Sequence, residues 1–135
     1  MTRSRVSSGF VALSLLAAAI ACGFSVSTAR ITNAFMATDP DGDAPVQAYF
    51  PEETFYLIVD VANAPDDTQV RAVWTAVDVE DTDPDTVIDE AELETSDGRL
   101  TFDLTNNDLW PAGLYKVAIY LNDALERTLE FEVQN

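Results

Sequence analysis

The chain has 135 residues, of which 47% are apolar, and it carries 24 acidic against 7 basic side chains, no histidine and one cysteine. This length allows one domain, because a single hydrophobic core serves roughly 50 to 200 residues. The absence of histidine excludes Ser-His-Asp and Cys-His relays and His-bearing zinc sites, and a net charge of −17 argues against nucleic acid as a partner, because binding to phosphate backbones depends on Lys and Arg.

The N-terminal segment has the layout of a secretory signal peptide. Residues 1–5 include two arginines, residues 9–21 form an uncharged apolar run, and Ala19-Ile20-Ala21 stands directly before Cys22. The run is shorter than the roughly 20 residues that span a bilayer as a helix. We therefore predict a signal peptide over residues 1–21.

Cys22 indicates which kind of signal peptide this is. The sequence Ala19-Ile20-Ala21-Cys22 resembles the lipobox of bacterial lipoproteins, which implies that Cys22 becomes the first mature residue and carries the lipid. Residues 22–29 would then be a tether to the membrane. Three alternatives stay open: ordinary cleavage after Ala21, an uncleaved anchor, and later cleavage after Ser27-Thr28-Ala29, which would discard Cys22 and leave a secreted protein.

From residue 30 onward, apolar residues recur at every second position between turn signals, which is typical of antiparallel sheets. The fourth element, residues 86–95, is rich in Ala, Glu and Leu and suits a short helix as well as a strand. We predict an all-β domain over residues 30–135, an antiparallel sandwich of about seven strands at residues 31–38, 54–62, 70–79, 86–95, 99–105, 114–121 and 125–133.

Two motifs make this sandwich more specific. Trp74 lies in the middle of the third predicted strand, and Gly113-x-Tyr115-x-Val117 spans the start of the sixth. This arrangement resembles the immunoglobulin-type (Ig-like) sandwich, in which a tryptophan packs in the core and a tyrosine corner stands two residues before the second cysteine. Val117 occupies the place of that cysteine, so the resemblance implies an apolar contact among Val59, Trp74 and Val117 in place of a disulfide.

An acidic segment after the third strand has the ligand spacing of an EF-hand calcium loop. Position 6 of that loop, ordinarily glycine, is Thr86, and a strand precedes the loop where an EF-hand has a helix. The competing interpretation is a solvated acidic connection. The candidate calcium ligands are Asp81, Asp83, Asp85, Asp89 and Glu92.

Two further segments each have two interpretations. Asp39, Asp41 and Asp43 alternate in a loop with glycine, which suits either a calcium site or a solvated turn. Trp110 precedes a proline in the loop before Tyr115, and it would either form an exposed platform for a sugar or peptide or plug the end of the sandwich.

These observations favour a non-catalytic module. No pair of carboxylates stands out as the two acids of a glycosidase, and no nucleophile lies beside a base. We predict no catalytic residue and no bound cofactor, with calcium as the one candidate ion. The expected partners are a membrane, reached through the lipid, and an unidentified protein or glycan outside the cytoplasm. As a whole, the sequence resembles small bacterial lipoproteins or secreted proteins with a single Ig-like domain.

Overall fold

The computed structural model describes residues 28–135, and all regular structure in that range is β. No helix within these residues is long and apolar enough to cross a membrane. The predicted signal peptide, Cys22 and most of the tether lie outside the described residues. The strands are β1 Arg30–Ala37, β2 Ala48–Tyr49, β3 Phe55–Ala62, β4 Thr68–Val79, β5 Thr86–Thr95, β6 Gly98–Leu104, β7 Gly113–Leu121 and β8 Ala124–Val133.

The strands form two sheets of unequal width. One has three strands in the order β1-β3-β6, and the other has five in the order β2-β8-β7-β4-β5. Every pairing is antiparallel except the short parallel pairing of β2 with β8. The alternation of apolar and polar residues explains this layering, since it gives each strand one apolar face for the core. The predicted all-β, Ig-like sandwich is confirmed.

One strand, β2, is additional to the expected seven, and one ambiguous segment is resolved. The segment that suited either a helix or a strand is strand β5, which pairs with β4 from Thr68↔Thr95 to Ala76↔Thr86. The sequence did not predict β2, because two residues are too few to show an alternating pattern. β2 is nevertheless well anchored, since the buried Tyr49 hydroxyl donates a hydrogen bond of 2.7 Å to the carbonyl of Ala37 in the other sheet.

Aromatic rings fill the space between the sheets. Trp74 is 1% exposed, and its ring centroid lies 6.3 Å from that of Phe55 and 6.2 Å from that of Phe131. Val59 and Val117, which the resemblance placed beside Trp74, are fully buried in the same core cluster. Apolar packing between the sheets therefore stands where other Ig-like domains have a disulfide.

The strand directions define two ends of the sandwich. At the end where β1 begins, here named the proximal end, the chain turns at residues 63–67, 96–97 and 122–123. Hydrogen bonds link segments there, for example from Thr28 Oγ1 to the carbonyl of Asn63 at 3.3 Å and from the amide of Ala64 to Asp97 Oδ1 at 2.6 Å. The opposite, distal end carries the longer loops, residues 38–47, 50–54, 80–85 and 105–112.

Candidate functional site

The tyrosine corner closes one side of the distal end. The Tyr115 hydroxyl donates a hydrogen bond of 2.6 Å to the carbonyl of Pro111, and burial raises the pKa of Tyr115 to about 12. Gly113 precedes it with a φ of 147°, where a Cβ would overlap the backbone carbonyl of Asp78. A glycine is therefore required for β7 to approach β4 this closely.

Trp110 is part of the core and is not a platform. Its side chain is 9% exposed, stacks on Phe55 with a centroid distance of 4.3 Å, and donates from Nε1 to the carbonyl of Glu53 at 3.0 Å. Its backbone amide donates to the carbonyl of Pro51 at 2.9 Å. Of the two interpretations of Trp110, the plug is the one that the structure supports.

The Asp39 loop brings three acidic side chains together. The carboxylates of Asp39, Asp41 and Asp43 each offer an oxygen within 4.8 Å of the others. Asp39 accepts hydrogen bonds from the backbone amides of Asp43 at 3.0 Å and Ala44 at 2.8 Å, and the bond from Asp43 is the main cause that lowers its pKa. These bonds account for Asp39 as the residue that shapes the turn.

The five candidate calcium ligands of residues 81–92 lie on two kinds of structure. Asp81 and Asp85 have φ angles of 57° and 54° in the loop between β4 and β5, whereas Asp89 and Glu92 lie in β5, opposite Trp74 and Arg71. Residues three apart on a strand are about 10 Å apart and point to opposite faces. Among residues 28–135, the group of at least three acids with clustered oxygens is the Asp39 group, so the structure does not gather these five. Calcium binding at residues 81–92 stays a prediction.

Two grooves mark the open sides of the sandwich. One, of about 620 Å³, runs between β1 and β8 and is lined by residues such as Met36, Val46 and Leu129. The other, of about 340 Å³, lies near the distal end between β5 and the end of β6, and its lining includes Ile88, Asp89, Leu104, Trp110 and Tyr115. The sequence did not indicate either groove, because the relative width of two sheets is not encoded in the alternation of a single strand.

The shifted pKa values are explained by burial and by hydrogen bonds within the fold. Burial raises the pKa of Tyr49, and a hydrogen bond from Arg99 lowers that of Asp60. Arg99 Nε lies 2.8 Å from Asp60 Oδ1, on a partly exposed surface. None of these groups stands beside a nucleophile in a cleft, so no catalytic arrangement is assembled from them.

Comparison with known proteins identifies the fold. No protein-family model and no curated protein sequence matches the chain. An immunoglobulin-like protein from Pseudomonas aeruginosa has a similar structure, with a TM-score of 0.55 and 12% identity over 82% of this chain and 100% of its own.

Parts of two enzymes are similar as well. An alkylpurine DNA glycosylase from Pseudomonas fluorescens, bound to DNA, matches with a TM-score of 0.51 and 14% identity over 81% of this chain. A beta-D-glucoside glucohydrolase from Trichoderma reesei matches with a TM-score of 0.50 and 15% identity over 82%. The chain spans only 31% and 19% of these two proteins. Likeness at such low identity shows a fold and no activity, and the fold of this chain is immunoglobulin-like.

Proposed function

We propose that this chain is a non-catalytic, extracytoplasmic Ig-like module that binds a partner or supports an assembly, and that lipid on Cys22 holds it at a membrane. The observation that carries the proposal is the position of the only cysteine, directly after the apolar run and Ala19-Ile20-Ala21. A lone cysteine in an exported chain has no disulfide partner within the chain. Lipidation gives this cysteine a function.

The charge of the domain supports attachment by lipid. Every acidic residue lies at or after Asp39, so the domain has no electrostatic attraction to an anionic membrane surface. Each buried acyl CH₂ contributes about 0.8 kcal/mol, and two or more chains give stable anchoring where one does not.

The length of the tether sets where the domain works. Seven residues separate Cys22 from Arg30, where β1 begins, and a chain of that length spans at most about 25 Å. The proximal end then faces the membrane, and the long loops of the distal end face away from it. A partner would approach the distal end or the sides of the sandwich.

Metabolic labelling with palmitate tests the anchor. We expect the wild-type chain to incorporate label and Cys22→Ser to incorporate none. Ala29→Gln serves as the matched variant, because it blocks the alternative cleavage after residue 29 and leaves Cys22 intact. Equal labelling of wild type and Cys22→Ser, or a mature N-terminus at Arg30 by mass spectrometry, would refute the anchor.

A further inference from the structure

Strand β5 is an exposed edge with an unusual number of apolar side chains. It is the last strand of the five-stranded sheet, and among residues 28–135 it pairs only with β4. Of the six large apolar residues that are exposed within residues 28–135, three lie on β5: Val87 at 55%, Ile88 at 37% and Leu93 at 39%. A long edge strand with exposed apolar residues is a template for pairing with another chain.

The backbone groups on the free edge of β5 can be assigned. Gln69 of β4 uses both of its backbone groups on Asn122, donating to Oδ1 at 3.0 Å and accepting from the amide at 2.8 Å. Backbone direction alternates along a strand, so Val70 turns its groups the other way, toward Leu93. By the same alternation on β5, the residues whose N–H and C=O groups point to solvent are Glu90, Glu92 and Glu94.

From Glu90 to Glu94 the side chains of β5 divide into an acidic face and an apolar face, whereas Asp89 pairs with the buried Trp74 and lies on the core side. Directly paired residues share a face, so Leu93 and Ala91 lie on the core side, opposite the buried Val70 and Ala72. Glu90, Glu92 and Glu94 share the outer face with Gln69 and Arg71. The free edge therefore presents a glutamate at each residue whose backbone is available, and an apolar residue between them.

The core side of β5 is incompletely covered. Leu93 faces the core but stays 39% exposed, because the opposing sheet has three strands and ends at β6. Nearer the other end of the strand, Ile88 of β5 and Leu104 of β6 line the groove of about 340 Å³, which does not include Leu93. Apolar side chains of an added strand would cover the exposed part of Leu93.

Charge selects the partner of this edge. β5 carries Asp89 and three glutamates and no basic residue, and the cation paired with it among the described residues is Arg71, whose Nη1 lies 3.1 Å from Glu90 Oε1. Like charges directly opposite one another destabilise a strand pair, so a second copy of this acidic chain is disfavoured.

The other open side of the sandwich, between β1 and β8, is partly closed. Arg127 donates a hydrogen bond to the carbonyl of Ile31 at 3.1 Å, and Pro45 forms a β-bridge with Ala37.

We propose that β5 binds an extended peptide segment of another protein as an added antiparallel strand, and that this segment alternates Lys or Arg with apolar residues. Its basic side chains lie beside Glu90, Glu92 and Glu94, and its apolar side chains cover the exposed part of Leu93. Main-chain hydrogen bonds to the three glutamate residues supply affinity, and the alternation supplies specificity. This inference rests on the proposed binding role and names its surface and its class of partner.

Calorimetry with synthetic peptides on the whole chain, purified in detergent, tests the surface. The probe is a ten-residue peptide that alternates lysine and valine. In the proposed pairing its lysine amides point at β5 and its valine amides point to solvent. N-methylation at lysine should abolish binding, and N-methylation at valine, with the same charge and composition, should preserve it.

Two matched variants separate edge pairing from attraction to net charge. The triple variant Glu90→Gln, Glu92→Gln and Glu94→Gln should bind the lysine-valine peptide with roughly tenfold lower affinity, because it removes three opposite-charge cross-strand pairs. The control replaces three exposed glutamates of β8 by Gln, namely Glu126, Glu130 and Glu132. Its affinity for the peptide should stay within about twofold of the wild-type affinity. A thermal melt of each variant confirms that it is folded.

Three results would overturn the inference. They are equal weakening by both triple variants, equal binding of the two methylated peptides, and no binding of the unmodified peptide at low salt. The methylated peptides are measured on the wild-type chain, so this arm holds even where a variant does not fold. Palmitate labelling is independent of the peptide: loss of peptide binding with intact labelling refutes the edge site alone, and the reverse refutes the anchor alone.

Discussion

The hydroxyl of Tyr115 provides a sharp test of how the distal end is held together. Tyr115→Phe keeps the ring contacts, with centroids 5.6 Å from Phe131 and 6.1 Å from Trp110, and removes only the 2.6 Å hydrogen bond to Pro111. An intramolecular hydrogen bond contributes about 1 kcal/mol net. The Pro111 residue is exposed, so water can partly replace the lost donor. We expect the free energy of unfolding to fall by about 1 to 1.5 kcal/mol.

Urea denaturation followed by tryptophan fluorescence measures this loss. With a slope of roughly 1 to 1.5 kcal/mol per molar urea for a domain of this size, the midpoint should fall by about 1 M. Tyr120→Phe is the matched control, because the Tyr120 hydroxyl has no hydrogen-bond partner among the described residues and Arg71 packs 4.2 Å from its ring centroid. Its loss should stay below about 0.5 kcal/mol. Equal losses in both variants would refute the tyrosine corner as a fixed contact.

The same residue predicts a dependence on alkaline pH. Burial raises the pKa of Tyr115 from 10.0 to about 12, so the folded state holds a proton that the unfolded chain releases above about pH 10. The stabilisation is complete below pH 10 and is lost as the pH rises toward 12. The midpoint difference between wild type and Tyr115→Phe should therefore shrink over that range, and a constant difference would contradict the raised pKa.

Three further predictions concern the core, an ion pair and calcium. Trp74→Ala should lower the free energy of unfolding by about 3 to 5 kcal/mol in urea titrations, because the ring is 1% exposed, and a loss below about 1 kcal/mol would contradict its place in the core. Arg99 lowers the pKa of Asp60, so this stabilisation is present at neutral pH and is lost as the pH falls through the folded pKa. Arg99→Gln should therefore lower the urea midpoint more at pH 6 than at pH 2, and an equal decrease at both pH values would contradict the ion pair. Calcium binding by residues 81–92 predicts a higher melting temperature in millimolar calcium than in chelator, with the increase lost in Asp83→Asn and kept in Asp41→Asn; an unchanged melting temperature of the wild type removes the calcium hypothesis.

The parts of the fold that the sequence predicted are those with a periodic or singular signal. Leu100, Phe102 and Leu104 alternate without interruption and form β6, and Trp74 and Tyr115 occupy the two positions that the Ig-like resemblance assigns them. The fourth element was ambiguous because its residues have similar propensities in both states, and pairing with β4 decides for a strand. Local preference is a weak guide where tertiary contacts set the outcome.

The candidate sites were harder to predict, because they depend on how elements meet. The acidic residues at 81, 83, 85, 89 and 92 have the spacing of an EF-hand loop. That spacing surrounds an ion only when the backbone forms a loop around it, and Asp89 and Glu92 lie on an extended strand. The row of Glu90, Glu92 and Glu94 was visible in the sequence. That these glutamates form a candidate binding surface depends on β5 being an edge strand, and this follows only from the strand order.

The direction of β1 has a consequence for a protein tied to a surface. Under the proposed anchoring, any pulling force enters the domain at Arg30 and acts along the axis of β1. The hydrogen bonds to β3, from Arg30↔Ala62 to Ala37↔Tyr56, lie across that axis and share the load. They would have to rupture together in shear, whereas a hairpin pulled from its open end unzips one bond at a time, so the anchored end of the sandwich is the mechanically resistant one.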